Sequence, residues 1–265
     1  MADICVIKLG GSIITDKKNG RPLFRARRVK EIANEIAKVR SKMPNIRLVI
    51  LYGGGSFGHP LAHRFKLLDQ ILSKSTFTGI GYTLAAMREL GTRLSISLLD
   101  VGLPVVPLQT SSFAGMQYGR LRFTDLSILE TILECGGIPL LGGDVVFSDR
   151  TRSMIASADM LAVELARKLS RVRLFFATDT DGVYASFPPR LGQRPLATID
   201  RQEIRALLKT QRPKTGRTDV TGAMPGKLHA LLPLRDTTVM IFSGNTRGVI
   251  ADVLSGKKRG TCVTL

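Results

Sequence analysis

The sequence predicts an α/β fold, an open three-layer αβα sandwich whose central sheet is mainly parallel. Short apolar runs alternate with segments of helical periodicity along the chain. Several of these runs are continuously apolar, which is typical of parallel strands covered on both faces. Glycines follow three of the runs, where a strand turns into the next segment. Strands that alternate with helices in this way indicate a parallel sheet.

The first half of the chain begins with a predicted strand at residues 4–9, which is apolar and β-branched. Val29, Ile32 and Ile36 recur at helical spacing and predict a helix. The same two patterns predict strands at 48–51, 104–107 and 138–141 and helices at 84–99 and 125–135. Gly136 follows the last of these helices, as glycine commonly does.

The second half continues the alternation within what we predict to be a single domain, 1–265. Ser157 is expected to cap a helix that runs to residue 169. Asp200 and Glu203 form a capping-box pattern that opens a helix to residue 209. Strands are predicted at 172–177, 239–242 and 261–265, and a helix at 249–254. The segment 191–226 is rich in Arg, Thr, Gly and Pro, and we interpret most of it as mobile surface.

The composition narrows the classes of partner. Among 265 residues, 39 Lys and Arg exceed 21 Asp and Glu, so the net charge is +18 and we expect an anionic partner. Cys5, Cys135 and Cys262 lie far apart, which argues against a disulfide framework and favours a cytoplasmic protein. No apolar run approaches the roughly 20 residues of a spanning helix, so we expect no membrane partner.

Three glycine-bearing strand ends are the candidate functional loops: 8–12, 53–59 and 142–144. In an open parallel sheet, ligands bind beyond the carboxyl ends of the strands, where glycines let backbone N–H groups approach phosphate oxygens. A tight turn explains any one of these loops equally well. Three of them, one with Lys8 and one with His59, indicate a shared phosphate site. No P-loop or Rossmann-type glycine fingerprint is present in the sequence.

These loops carry a resemblance to the amino acid kinase superfamily. The matching segments run in the same order over nearly the whole chain: KLGGSIITDK at 8–17, GGGSFGHP at 53–60, GDVV at 143–146, TDTDGVY at 178–184 and DVTGAM at 219–224. Within the superfamily the sequence resembles the isopentenyl phosphate kinases, because GGGSFGHP is specific to the phosphate-accepting branch. Ala158 and Ala223 stand where many members have glycine.

The resemblance implies transfer of the γ-phosphoryl group of ATP to isopentenyl phosphate in isoprenoid biosynthesis, with Mg²⁺ as a cofactor and a homodimer as the assembly. It assigns catalysis to Lys8, Lys17, His59 and Asp159, and acceptor binding to Gly54, His59, Gly143 and Ser157. It assigns ATP binding to Lys8, Gly10, Gly11, Ser12, Gly55, Asp179, Gly182, Gly222 and Lys227. No residue is assigned as a metal ligand. Residues 1–150 are expected to form the acceptor side and residues 151–265 the ATP side.

Some of these positions also have a structural explanation. Lys8 would be costly to bury unpaired in a strand, which favours a functional role. Lys17 equally fits a solvated turn, and Asp159 equally fits the first turn of a helix. The apolar residues between 65 and 87 fit either a pocket for a short prenyl tail or plain core, and they include Leu68, Ile71, Phe77, Ile80 and Tyr82.

Two alternatives for the function stay open at this point. The chain could phosphorylate another acceptor of the superfamily, such as a phosphonate, UMP or an amino acid, although these acceptors give no reason for His59. It could instead be a non-catalytic nucleic-acid-binding protein, which the net charge alone suggests. The sequence argues against nucleic acid, because aromatic residues make up only 6% and no RNP, zinc or helix-turn-helix pattern is present.

Overall fold

The computed structural model describes residues 3–16, 22–68, 70–148, 151–210 and 223–265. These residues form the strands β1 (Ile4–Leu9), β2 (Thr15–Asp16), β3 (Leu23–Phe24), β4 (Arg47–Tyr52), β5 (Gln70–Ile71), β6 (Val105–Leu108), β7 (Ala114–Gln117), β8 (Arg120–Phe123), β9 (Ile138–Gly142), β10 (Asp144–Ser148), β11 (Arg152–Ala156), β12 (Val172–Thr178), β13 (Thr198–Asp200), β14 (Thr238–Ser243) and β15 (Thr261–Thr264). They form the helices α1 (Gly11–Ile14), α2 (Ala26–Lys42), α3 (Gly55–Arg64), α4 (Lys74–Leu99), α5 (Ser127–Glu134), α6 (Ala158–Lys168), α7 (Arg201–Thr210), α8 (Ala223–Leu231) and α9 (Val249–Leu254).

The central sheet has the strand order β13-β15-β14-β12-β1-β4-β9-β6. Its neighbouring strands run parallel except for β14 and β15, which are antiparallel. The strands β1, β4 and β9 are almost entirely buried, because helices cover both faces of the sheet. The predicted α/β fold with a mainly parallel sheet is confirmed.

Helices on the two faces bury two separate apolar cores. The helices α2, α4 and α9 pack in one core, and α5, α6 and α8 pack in the other. The sheet contributes side chains to both cores because successive residues of a strand point to opposite faces. The result is the three-layer sandwich that the sequence predicts.

The predicted helix caps are present in the structure. The hydroxyl of Ser157 accepts a hydrogen bond from the backbone N–H of Met160 and caps α6. Asp200 and Glu203 exchange side-chain to backbone hydrogen bonds of 2.8 Å at the start of α7. Both helices therefore begin where the sequence pattern predicts.

The helix α4 begins ten residues earlier than the prediction. Ser73 and Thr76 form a capping box at its start. Gly79 in the first turns of the helix obscured its pattern in the sequence, since glycine is a poor helix former. The glycine is required by packing, because a Cβ atom at Gly79 would lie 2.5 Å from the Cβ of Phe65.

A second, five-stranded sheet is absent from the sequence prediction. Its order is β5-β11-β10-β7-β8, and β10 and β11 form an antiparallel pair. The strand β10 belongs to the expected acceptor side and β11 to the expected ATP side, so the two sides share this sheet. Within the predicted surface segment 191–226, the structure has β13, α7 and the start of α8, while residues 211–222 lie outside the described residues.

A polar brace joins α2 to the segment that follows β14. The side chain of Arg28 is buried and donates from Nε to the carbonyl oxygen of Gly244 at 2.9 Å. The carboxylate of Glu35 accepts from the backbone N–H groups of Gly248 and Ile250 at 2.9 and 3.0 Å. The brace thereby ties the start of α9 to a helix from the other half of the chain.

None of the helices within the described ranges combines the length and the apolarity needed to cross a membrane.

Candidate active site

The carboxyl ends of β1, β4 and β9 lie side by side. Leu9 pairs with Tyr52, and Tyr52 pairs with Gly142, so the three strands end in register. The glycine loops that follow these strands therefore meet at one edge of the sheet. They border a cavity whose remaining walls come from α3, α4, β11 and the start of α6. The lining includes seven of the residues assigned by resemblance: Lys8, Gly11, Gly54, His59, Gly143, Ser157 and Asp159.

Two lysine ammonium groups converge on one carboxylate beside this cavity. Nζ of Lys8 lies 2.9 Å from Oδ1 of Asp159, and Nζ of Lys227 lies 2.8 Å from the same oxygen. The three side chains come from β1, the first turn of α6 and α8. Nζ of Lys227 also lies 4.7 Å from the ring centroid of Phe176 on β12, which is within range of a cation–π contact.

Burial and charge together fix the ionisation of this cluster. Burial opposes the charged form of Asp159, but Lys227 and Lys8 outweigh it and hold the pKa of the carboxyl below its ordinary value. Burial lowers the pKa of Lys227 to about 8, while Asp159 opposes that shift and Lys8 adds to it. By formal charge the cluster sets two lysines against one carboxylate, so it gives this sheet edge a positive potential.

The start of α6 supplies a second source of positive potential. Ser157, Ala158 and Asp159 all line the cavity, so the N-terminal turn of this eleven-residue helix faces it. Free backbone N–H groups and the helix dipole make such a turn favourable for an anion. Asp159 in that turn is neutralised by the two lysines, so the potential at this wall remains positive.

The helix α3 presents a similar turn from the opposite side. Gly54 precedes its first residue, and Gly54, Gly58 and His59 line the cavity. The imidazole of His59 lies one turn into the helix and is partly buried. A histidine can donate a hydrogen bond to a phosphate oxygen in either protonation state. The cavity thus lies between two helix N-termini and a lysine.

The remaining wall of the cavity is largely apolar. It consists of Ala62 on α3, Thr83 and Met87 on α4, and Ile155 on β11. The hydroxyl of Thr83 donates to the carbonyl oxygen of Gly79 at 2.8 Å, so it adds no unpaired polar group to this wall. The cavity therefore combines a cationic, N–H-rich part with a hydrocarbon-compatible part.

Most of the apolar residues predicted for this wall do not contribute to it. Ile80 is buried, but four others are exposed by half or more of their surface: Leu68, Ile71, Phe77 and Tyr82. The interpretation of these four residues as pocket or core is wrong. They lie on α4 and on the segment before it, with their side chains turned to solvent, while Thr83 and Met87 face inward.

Three residues assigned to ATP lie at the same sheet edge but outside this cavity lining. The N–H of Gly10 donates to the carbonyl oxygen of Ala177 at 3.0 Å, which joins the first loop to the end of β12. Asp179 is exposed in the loop that follows β12. Gly182 packs against Thr261 so closely that a Cβ atom would lie 2.6 Å from its Oγ1.

The remaining ATP residues of the resemblance are placed in part. The carbonyl oxygen of Ser12 accepts a hydrogen bond from Arg25 at 2.9 Å. Gly55 has a positive φ of 48° and contacts Gly11, so the first two glycine loops touch. Lys17 and Gly222 lie outside the described residues.

Asp144 is a buried acid to which the sequence gave no role. Its carboxylate accepts hydrogen bonds from the backbone N–H groups of Ser111 and Val145 at 3.2 and 2.9 Å. Burial raises the pKa of the Asp144 carboxyl despite these hydrogen bonds. The residue lines the cavity and also borders a second one. The only signal in the sequence was an acid directly after a glycine pair at a strand end.

The donor groups of the site suit an anion better than a metal ion. Within the described parts of the chain, no three His, Cys, Asp or Glu side chains converge to hold a metal. The carboxylate of Asp159 already binds two ammonium groups, which repel a further cation. These residues do not fit Mg²⁺ held by the protein alone.

Comparisons with known proteins find relatives that match nearly the whole chain. The model of the amino acid kinase family matches residues 3–243. An isopentenyl phosphate kinase of Methanothermobacter thermautotrophicus is 31% identical over 98% of this chain and 98% of its own, and one of Methanocaldococcus jannaschii is 28% identical over 97% of each. The X-ray structure of an isopentenyl phosphate kinase superimposes with a TM-score of 0.82 at 29% identity, covering 98% of this chain and 99% of its own.

Proposed function

Because this chain belongs to the amino acid kinase family and is an ATP-dependent phosphotransferase, we propose that its acceptor is isopentenyl phosphate. The product is then isopentenyl diphosphate, a building block of isoprenoid biosynthesis. Relatives that carry this activity in their names, at 28–31% identity over nearly the whole chain, support the proposal.

The observation that carries the proposal is the mixed character of the cavity. One part offers Lys8, His59 and two helix N-termini, which match a phosphate group. Another part offers Met87 and Ile155, which match a short hydrocarbon tail. A phosphate monoester with a small apolar group needs both parts, whereas UMP or an amino acid would leave a polar group against the apolar wall.

We assign the acceptor phosphate to Gly54 and His59 on one side and to Gly143 and Ser157 on the other. The transferring phosphoryl group contacts Lys8 and Lys17, with Asp159 holding the position of Lys8 through their 2.9 Å contact. The other ATP contacts follow the resemblance: Gly10, Gly11, Ser12, Gly55, Asp179, Gly182, Gly222 and Lys227. Under this proposal the acceptor side is formed mainly by residues 1–150 and the ATP side by residues 151–265.

The chemistry asks little of the protein beyond charge and position. A phosphate monoester has a second pKa of about 6, so the acceptor oxygen is already ionised at neutral pH and needs no strong base. Phosphoryl transfer is catalysed by in-line alignment and by neutralising charge on the oxygens. Lys8, the helix N-termini and His59 supply that charge and alignment. The described residues group no carboxylate, His or Cys side chains for a metal, so Mg²⁺ would be supplied together with ATP and would neutralise charge on its phosphates.

An acceptor panel tests the proposal. The protein is assayed with ATP and Mg²⁺ against isopentenyl phosphate, dimethylallyl phosphate, UMP, a small phosphonate and glutamate. We expect the highest kcat/KM with a prenyl phosphate. Turnover of another acceptor without any turnover of a prenyl phosphate contradicts the proposal, and salt-sensitive nucleic-acid binding without kinase activity supports the non-catalytic alternative.

We also propose that the enzyme is a homodimer in the cytoplasm. Ile96 and Leu99 lie three residues apart on α4 and are 53% and 50% exposed, which supports a contact with a second copy. The molar mass measured by light scattering at micromolar concentration tests the dimer, and a mass of one chain contradicts it. The location is tested by cell fractionation.

A further inference from the structure

Thr15 joins the first two glycine loops through its side-chain hydroxyl. This residue directly follows α1 and is 1% exposed. Its Oγ1 donates a hydrogen bond to the carbonyl oxygen of Gly11 at 2.7 Å. The same Oγ1 accepts a hydrogen bond from the backbone N–H of Ser56, in the first turn of α3, at 3.0 Å. One buried hydroxyl therefore uses both its donor and its acceptor capacity to link the two loops.

The two loops have no spare room between them. A Cβ atom placed on Gly11 would lie 2.5 Å from the Cα of Gly55. A Cβ atom on Gly55 would overlap Oγ1 of Thr15 itself. Gly53 donates from its N–H to the carbonyl oxygen of Leu9 at 3.0 Å, which holds the second loop against the end of β1. The separation of the two loops is thus set by backbone contact and by one hydroxyl.

These loops have different partners under the proposed function. The loop of Gly10 to Ser12 follows the ATP phosphates, whereas α3 carries Gly54 and His59 to the acceptor phosphate. In-line transfer depends on the distance between these two phosphates, and a misplacement of about 1 Å can lower the rate about 100-fold.

We propose that Thr15 is a positioning residue that fixes the spacing between the donor phosphates and the acceptor phosphate, an inference that rests on the proposed function. Removing the hydroxyl leaves the buried N–H of Ser56 without its acceptor, while the carbonyl of Gly11 keeps its hydrogen bond from the backbone N–H of Thr15. An unsatisfied buried N–H costs about 1–3 kcal/mol, which favours a shift of the start of α3 towards another acceptor or water. The two loops then separate, although each still binds its own ligand.

The matched variants are Thr15→Val, which keeps the shape and removes the hydroxyl, and Thr15→Ser, which keeps the hydroxyl and removes the methyl. Ser56→Ala is the control, because Oγ of Ser56 is buried at the same junction and has no hydrogen-bond partner among the described residues. Each variant is assayed with the acceptor that the wild-type protein uses best, well below its melting temperature.

We expect Thr15→Val to lower kcat about 10- to 100-fold while the KM for ATP and for the acceptor stay within about twofold. Thr15→Ser should recover kcat to within about threefold of wild type, and Ser56→Ala should match wild type. If Thr15 had only a structural role, Thr15→Val would lower the melting temperature, but kcat would not fall while KM stays constant. Thr15→Ser would then not restore kcat either.

A kcat of Thr15→Val within twofold of wild type overturns the inference, as does a Thr15→Ser variant as impaired as Thr15→Val. If Thr15→Val does not fold, Thr15→Cys replaces it in the test, because a thiol is a weaker hydrogen-bonding group than a hydroxyl. An unchanged kcat of Thr15→Cys then contradicts positioning by the hydroxyl. The proposed function is contradicted by a different result, namely that the wild-type protein phosphorylates another acceptor and no prenyl phosphate. In that case, the kcat values of the wild-type protein and of the variants are measured and compared with that other acceptor.

Discussion

The two sheets of this protein differ in how they build the site. The central sheet brings Lys8 and the glycine loops to the ends of long, buried, parallel strands. The five-stranded sheet consists of strands of two to five residues and brings Ile155 and Ala156 to the wall of the same cavity. Under the proposed function, the first sheet places groups for phosphate and the second shapes the space for the rest of the acceptor.

Because of this difference, we expect substitutions in the two sheets to change different kinetic parameters. Changes at the ends of the central strands should alter the chemical step, because those groups meet charge that develops during transfer. Changes on the small sheet should alter acceptor choice, because those groups meet only the part of the substrate that does not react. The four predictions below test that separation, from the largest expected effect to the smallest.

Replacing Lys8 by methionine should have the largest effect. The change removes the cation that faces the cavity from β1 and leaves Lys227 paired with Asp159. Loss of one such electrostatic group typically lowers kcat about 100- to 1,000-fold. The measurement is steady-state kcat with saturating ATP and acceptor. Lys257→Met is the control, since Lys257 is exposed and pairs with Asp252, and a Lys8→Met variant within tenfold of wild type contradicts the role.

Replacing His59 by alanine should lower acceptor use while leaving ATP binding in place. Loss of a hydrogen bond to a charged group is worth about 1.5–3 kcal/mol, which is roughly 10- to 150-fold in kcat/KM for the acceptor. The KM for ATP should stay within about twofold. His63→Ala is the control because His63 is exposed on the same helix, one turn further on. Equal acceptor kinetics in both variants would remove His59 from the site.

Replacing Ile155 by alanine tests the small sheet. Less apolar contact with the acceptor tail should lower kcat/KM for isopentenyl phosphate about tenfold, a loss in the range found for one missing methylene in a pocket. The kcat/KM for ATP should be unchanged. Ile71→Ala on the same sheet is the control, because Ile71 is 65% exposed. If Ile155→Ala lowered kcat/KM for ATP alone, this result would contradict the proposed division of roles between the two sheets.

The pH dependence of ATP binding should show the smallest effect. Lys227 has a pKa lowered to about 8 by burial, so its charge is present below that pH and is lost as the pH rises through it. The Kd for ATP should therefore increase by less than about tenfold between pH 8 and pH 9. In Asp159→Asn the increase should begin at lower pH, because Asp159 raises the pKa of Lys227. A Kd that is constant over this range in wild type contradicts a binding role for Lys227 charge.

The sequence predicted the central sheet because its signal is local. Continuous apolar runs followed by glycine identify β1, β4 and β9 one by one, and the loops carrying Lys8 and His59 follow from them. The small sheet has no such signal, since β8 and β11 contain Arg120, Arg122 and Arg152, and β11 pairs with β5, which lies far away in the chain. Ile155 lies on β11 and Met87 on α4, so their meeting at the cavity depends on tertiary contacts that the local pattern does not show.

Some of the basic residues outside the glycine loops have local partners in the structure. Lys257 and Arg259 both bind the carboxylate of Asp252. Arg25 donates to the carbonyl oxygen of Ser12 and to the side chain of Asn245. Contacts of this kind between chain segments cannot be read from charge counts, because a solvated lysine and a paired lysine look alike in a sequence.

The brace of Arg28 and Glu35 has a consequence for motion. It holds a helix of the first half against the segment 244–251 of the second, through a buried guanidinium and a carboxylate that caps α9. Swinging the two halves apart would break several hydrogen bonds to charged groups, each worth about 1.5–3 kcal/mol. Relative movement of α2 and the segment 244–251 therefore carries the cost of breaking these hydrogen bonds.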